Sequence, residues 1–260
     1  MQATSLVSTA SCICMRLLIS FLIPIAISAA SSAQSQQEVP YFARVNTFGV
    51  LAAYSNDSSP MLLGITANRK LLNVGVSYNR RLLFNRFVNW QYSGELMPVA
   101  IESDPVLVTV FTATYTNPPA TITTTSSLPT LTTCQPESGG GSIPQDGLTY
   151  TYVGTCSRRW TIGQAFSPAG FQWNFLTRRR LQPFLIGHGG YMYSTKPIPV
   201  SGAGNFNFTF DFGAGIELYR TRKQSVRADY RYHHISNDWT APENPGVDSG
   251  VAQLTYTFGR

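Results

Sequence analysis

The chain has 260 residues, a formal net charge of +6 and only 12% charged residues, with Gly, Tyr and Phe plentiful. That length fits one or two domains. The basic balance alone is compatible with nucleic acid or an anionic membrane. However, no Lys/Arg stripe with interleaved aromatics accompanies it, which argues against a nucleic-acid partner.

The N-terminus reads as an export leader. Arg16 precedes an apolar run from Leu17 to Ala30, and Ser31-Ser32-Ala33 supplies small residues for cleavage after Ala33. The run is short for a spanning helix, which needs ~20 apolar residues, so removal is expected rather than anchoring. Residues 1–33 are thus assigned to the leader and 34–260 to the mature domain. Cys12 and Cys14 fall within the leader. Cys134 and Cys156 remain, in a polar segment of an exported chain, and read as a disulfide closing a loop. A two-Cys metal site is the alternative, but no His or other Cys stands near either residue.

From about residue 48 onward the chain alternates apolar and polar residues with period two, the mark of strands with two unlike faces. Phe48, Val50, Ala52 and Tyr54 share one face. Leu72, Val74, Val76 and Tyr78 oppose Asn73, Gly75, Ser77 and Asn79, and Val88, Trp90, Tyr92 and Leu96 oppose Asn89, Gln91, Ser93 and Glu95. Phe171, Trp173 and Phe175 follow, then a glycine-rich strand from Leu181 to Tyr193. The clearest stretch runs from Phe206 to Phe212, with Phe at every even position and polar residues between. Val226, Ala228, Tyr230 and Tyr232 then oppose Arg227, Asp229 and Arg231. Ala252, Leu254, Tyr256 and Phe258 complete a set of eight candidate strands.

The apolar faces are too large and aromatic for the core of a small soluble barrel of the lipocalin kind. With an export leader and no helical span, an all-β, eight-stranded antiparallel transmembrane barrel fits better, its apolar face on lipid and its polar face filling the lumen. Glu95, Asp211, Glu217 and Asp229 would pair there with Arg227 and Arg231. Odd parity puts His233 in the lumen as well, and His188 reads as structural. Connections alternate short and long. Arg80–Arg86, Arg178–Arg180 and Arg220–Lys223 are short and basic, whereas 56–70, 101–169, 194–205 and 237–249 are long. The long set is expected at the outer side of a bacterial outer membrane. The connection at 101–169, rich in Ser, Thr, Pro and Gly, is read as one long outer loop with no chemistry assigned to it.

The same parity gathers a possible catalytic set. Counting on from Tyr230 and Tyr232 puts His234 and Ser236 on the lipid face, and counting back from Ala252 puts Asp248 there too, on the neighbouring strand. A serine hydroxyl needs a base, a neutral His is the usual one near pH 7, and a carboxylate on the other imidazole nitrogen fixes its tautomer. Residues i and i+2 on a strand lie ~7 Å apart at Cα, so a His234–Ser236 hydrogen bond is within reach. Asn237, Asn244 or loop N–H groups are candidate oxyanion donors. Spacing alone also permits the plainer reading of polar rim residues.

The string His234-Ile235-Ser236-Asn237, followed by Asn244-Pro245-Gly246-Val247-Asp248, resembles the C-terminal motif of the outer-membrane lipid A 3-O-deacylase family (acyloxyacyl-hydrolase type). The similarity extends from about Phe171 to Phe258. The N-terminal strands match only in type, and 101–169 has no evident counterpart. The resemblance implies an eight-stranded barrel and hydrolysis of the ester-linked acyl chain at position 3 of lipid A. Lipopolysaccharide would be the substrate, met at a site facing the outer leaflet. It further implies His234 as base, Ser236 as nucleophile and Asn244 as oxyanion contributor. No cofactor or metal is implied. The family pattern carries Glu at the acid position where this chain has Asp248, one methylene shorter, and Glu243 is a second acid nearby. Two other readings stand beside this one: a non-catalytic barrel that binds a surface partner through its long loop, and an acyl hydrolase or acyltransferase acting on another membrane lipid. A homodimer covering the exterior site would keep the enzyme latent.

Overall fold

The computed structural model describes residues 41–260. The expected leader and its two cysteines lie outside the described residues.

Among the described residues, ten strands form one antiparallel sheet: β1 (Asn46–Ser55), β2 (Lys70–Phe84), β3 (Val88–Thr116), β4 (Pro119–Pro129), β5 (Glu137–Ile143), β6 (Leu148–Phe175), β7 (Leu181–Ser194), β8 (Phe206–Thr221), β9 (Gln224–Ser236) and β10 (Val247–Gly259). Eight of them close a ring in which β1 pairs with both β2 and β10, and β3 pairs with β6. Each ring strand corresponds to a period-two segment of the sequence. The basic turns come out shorter than the sequence suggests, because β2 continues through Arg80–Phe84 before turning.

The faces divide as the alternation requires. Phe48, Val50, Phe208, Phe212, Leu254 and Phe258 are exposed, whereas Asn89, Gln172, Asn174, Glu217 and Thr257 are fully buried. A protein that hides its amides and carboxylates and presents its Phe, Val and Leu is built for a hydrocarbon surround. Aromatic rings cluster on this exterior: Phe48, Tyr78 and Phe258 in one group, Trp90, Phe171 and Trp173 in another, and Tyr191, Phe206 and Phe208 nearer the long loops. No helix among the described residues is long and apolar enough to cross a membrane; crossing falls to the strands.

The lumen is packed, and its middle is ionic. Arg231 pairs with Glu95 (3.0 Å), Asp211 (3.2 Å) and Asp229. Arg227 lies 3.3 Å from Glu217, and Arg44, just ahead of β1, reaches the same carboxylate at 2.6 Å. The acids and the two β9 arginines follow from strand parity, whereas Arg44 does not, because it precedes the strand. Toward the long loops the lumen changes character. Leu51, Ala53, Leu71, Met97, Met192, Ile235, Val247 and Val251 pack together there, with Ile198 folding in from the β7–β8 connection. The inward face is therefore polar only over part of its height.

The segment 101–169 departs most from expectation. Read as a loop, it is largely strand. β3 and β6 continue past the ring as a pair, and β4 folds back outside β3 and β5 outside β6, giving a four-stranded blade in the order β4-β3-β6-β5. From Pro105 to Thr116, at ~3.3 Å per residue, this projection is roughly 40 Å long. Its Thr- and Val-rich runs are strand formers, and their pairing in register with a partner strand outweighs a composition that otherwise reads as loop. The expected disulfide between Cys134 and Cys156 is present and ties the β4–β5 connection to β6.

Substituting Arg231→Ala leaves three buried carboxylates facing one another without their shared cation. The expected cost is about 3–5 kcal/mol, read as a lowered urea midpoint in folded, detergent-solubilised protein.

Candidate active site

The register makes the site. His234 stands directly opposite Asp248 across the β9–β10 pair and opposite Phe210 across the β8–β9 pair, while Ser236 stands opposite Phe208. All five lie at even positions on strands whose even positions face outward, so they share the barrel exterior near the long loops.

His234 Nδ1 lies 2.6 Å from Asp248 Oδ1. A carboxylate can only accept, so the proton is on Nδ1, and Nε2 is left as the basic nitrogen. Asp248 is itself held from three other directions. Tyr232 Oη donates to Oδ1 at 2.7 Å, and the backbone N–H groups of Leu62 and Leu63 donate to Oδ2 at 2.7 and 2.9 Å. The carboxylate is completely buried even though it points out of the barrel, because the β1–β2 connection folds down over it. A charge in that position persists only with such a set of donors. The missing methylene of Asp relative to Glu is thus absorbed by register: a directly opposed residue reaches the imidazole without a longer side chain. Glu243 plays no part in this contact. It is exposed, and its side chain lies against Gly202 in the β7–β8 connection.

Ser236 closes β9 and lines the same exterior cavity as His234, Asn244, Gly246, Leu63, Phe208 and Phe210, with a volume of about 520 Å3. Its hydroxyl donates to Asn244 Oδ1 at 3.0 Å and accepts the Asp238 N–H at 3.2 Å. The His234–Ser236 hydrogen bond that spacing allows is not formed among the described residues. As the last residue of its strand, Ser236 turns its hydroxyl across the loop to Asn244 instead. The Asn237 N–H also donates to Asn244 Oδ1 (3.1 Å). A backbone N–H can only donate, so this contact fixes which end of the Asn244 amide is oxygen and leaves its NH2 group for another acceptor. Asn237 is differently employed. Its side-chain NH2 is spent on the carbonyls of Ala203 and Glu243, and its Oδ1 accepts the Trp239 N–H. It braces the loop rather than offering a free donor.

Two glycines permit this closeness. Gly246, at φ +63°, ends the Asn-Pro-Gly turn, and a Cβ there would come 3.1 Å from His234 Cε1. That backbone conformation and that spacing both favour glycine. A Cβ on Gly64 would come 2.7 Å from Asp248 N and 3.0 Å from Asp248 Oδ1, so Gly64 is what lets the β1–β2 connection approach the carboxylate.

Sequence reasoning missed Tyr232, Leu62, Leu63 and Gly64. Tyr232 was within reach, since it shares parity with His234 two residues on. The loop residues were not, because their approach to a strand more than a hundred residues away is a tertiary fact.

A second Ser–His–acid arrangement lies inside the barrel. His188 Nε2 is 2.9 Å from Ser93 Oγ, and His188 Nδ1 is 3.1 Å from Asp211 Oδ1. Here the serine does meet the imidazole, yet it is 1% exposed, and Arg231 Nη1 lies 3.1 Å from His188 Nδ1 and 3.2 Å from Asp211 Oδ1, so Nδ1 can either donate to the carboxylate or accept from the guanidinium but not both. No substrate carbonyl could reach it, which agrees with a structural role for His188. His233, expected in the lumenal network, faces Asp211 across the strand pair, and its Nδ1 is buried without a hydrogen-bond partner. No group of three or more His, Cys, Asp or Glu side chains suited to a metal occurs among the described residues.

Comparison with known proteins adds the following. Among solved structures, the crystal structure of the outer membrane enzyme PagL is 13% identical, covering 82% of this chain and 99% of its own, with a TM-score of 0.46. Neisserial surface protein A (NspA) is 12% identical, covering 83% of this chain and 97% of its own, with a TM-score of 0.41. No curated protein sequence matches the chain. The family model for lipid A 3-O-deacylase (PagL) matches residues 123–257, reaching well upstream of the segment that carries the motif and taking in much of the blade. Over half of its length falls within that match, and the protein belongs to the lipid A 3-O-deacylase (PagL) family.

Proposed function

We propose that this protein is an outer-membrane esterase that removes the 3-O-linked acyl chain of lipid A, with Ser236 as nucleophile, His234 as general base and Asp248 as the residue that orients it. One observation carries the reading. The His234–Asp248 pair is complete, and it opens into a cavity on the lipid-facing exterior that Ser236 and Asn244 also line. An ester placed there would present its carbonyl from the hydrocarbon side, with its acyl chain lying along Phe208 and Phe210.

In this mechanism the Ser236 hydroxyl turns from Asn244 to His234 Nε2 and gives up its proton as Oγ attacks the ester carbon. The NH2 of Asn244, which neither the Ser236 hydroxyl nor the Asn237 N–H engages, stabilises the oxyanion. Collapse expels the sugar 3-hydroxyl, which takes the proton back from His234, and leaves an acyl-serine. Water, activated by the same histidine, then releases the fatty acid. Burial of Asp248 beneath the β1–β2 connection strengthens its hold on the imidazole, since few waters compete. Asn237 supports the turn that carries Asn244. The long-loop end of the barrel, with the site and the blade, faces outward, and the basic short turns face the periplasm. Residues 1–33 are the export leader, and 34–260 form the barrel domain.

Mass spectrometry of lipid A from cells producing the protein is expected to show loss of one hydroxyacyl chain, abolished by Ser236→Ala and by His234→Ala. An unchanged profile at good expression would refute the assignment. Asn244→Ala is expected to lower kcat by about 10²–10³-fold. Tyr232→Phe removes one of four donors to a carboxylate and is expected to cost about tenfold in kcat/KM. Equal rates for the two variants would contradict their separate roles. The intact mass of the mature protein is expected to begin at Gln34.

A further inference from the structure

The β1–β2 connection has an unusual composition for the rim of a barrel. Between Asp57 and Arg69 it carries no charge, and it includes Met61, Leu62, Leu63 and Ile65. All four are exposed, between 49% and 68%, in the range of residues on the lipid-facing band such as Val50 at 54% and Leu254 at 58%. A rim loop in water would gain nothing from such side chains, and an apolar cluster of this kind signals a surface that it covers. The cover here has a definite chemistry. Leu63 lines the same exterior cavity as Phe208 and Phe210, so the cluster continues the hydrocarbon-facing band rather than standing apart from it.

The tip and the catalytic acid are mechanically one unit. The two residues whose side chains are most exposed, Leu62 and Leu63, are the two whose N–H groups hold Asp248 Oδ2. Around them, Ser59 N donates to Asp248 O, Ile65 N to Pro245 O, and Thr66 Oγ1 to Gly246 O. Gly64 and Gly246 approach each other closely, a Cβ on the latter coming 3.1 Å from Gly64 Cα. Any movement of the tip is therefore transmitted to Asp248 and to the turn beside His234.

We propose that the apolar tip Met61–Ile65 enters the acyl-chain region of the surrounding lipid leaflet and that this insertion holds Asp248 in place against His234, so that ester cleavage depends on a lipid surface. The coupling rests on the catalytic reading given under Proposed function; the insertion itself does not. In bulk water the tip has an apolar surface to hide, which favours conformations other than the one that exposes it while keeping two N–H groups on Asp248. In lipid the two demands coincide. Tip residues that act through Asp248 are positioning residues.

Insertion is read directly with Met61→Cys carrying an environment-sensitive fluorophore, in phosphatidylethanolamine–phosphatidylglycerol vesicles with and without dibrominated phosphatidylcholine. Bromine quenching is expected at position 61 and not at a label on Thr114→Cys in the blade. Emission at position 61 indifferent to brominated lipid overturns the proposal. This measurement needs no turnover, so it stands or falls apart from the identity of the substrate. Coupling is read from kinetics on lipid A in the same vesicles. Met61→Asp with Leu62→Asp is expected to lower kcat by roughly a hundredfold with a smaller change in KM, and Met61→Phe with Leu62→Phe to restore it. An unchanged kcat in the Asp variant overturns the proposal, as does a failure of the Phe variant to recover activity.

Discussion

A strand that crosses a lipid bilayer must find hydrogen-bond partners for its whole backbone within the protein, and the pairing of β1 with β10 is what makes that possible here. With the ring closed, no ring strand keeps a free edge in the hydrocarbon, and every side chain has only two destinations. Even residues of β1, β2, β8, β9 and β10 go to lipid and odd residues go inward. The ionic cluster around Arg231, the apolar packing above it and the exterior site all follow from that two-way division. A slip of β9 by one residue would put Arg227, Asp229 and Arg231 into lipid and leave Glu95, Asp211 and Glu217 in the lumen without them.

The division also explains why the catalytic candidates occupy so unpromising a position. His234, Ser236 and Asp248 are polar residues on a face otherwise made of Phe, Tyr, Leu and Val. Each polar group there needs a local remedy. The β1–β2 connection covers the carboxylate, Phe210 packs 5.3 Å from the imidazole, and the Asn-Pro-Gly turn supplies the partner for the serine. The lumenal Ser93–His188–Asp211 set makes the contrast. There the serine meets the imidazole, but the set is sealed and its carboxylate is shared with Arg231. A serine–imidazole contact alone would favour the lumenal set, whereas the exterior set is the one open to the lipid-facing surface.

The blade is built by continuing the barrel rather than by adding a domain. β3 and β6 leave the ring without breaking their register, and β4 and β5 add to their outer halves. The disulfide fixes the one connection that strand pairing does not. Outside the bilayer the strands need not alternate, and the composition turns to Thr, Ser and Gly, which is why the sequence of this segment resembles a loop.

The sequence by itself determined the period-two strands, their number in the ring, which face each presents, and the placing of His234, Ser236 and Asp248 on a common exterior. Each of these depends only on local alternation, and the bilayer makes that alternation strict. The tertiary structure decided what depends on contacts between distant segments. It set Asp248 directly opposite His234, it brought Leu62 and Leu63 onto the carboxylate, it gave the Ser236 hydroxyl to Asn244, and it sent Arg44 into the lumen from outside the strands. It also turned the segment 101–169 from a loop into a sheet, because pairing partners, not composition, decide whether Thr-rich chain is extended. No periodicity records such contacts, since they are fixed by ring closure and by the shape that the connections take once the ring is closed.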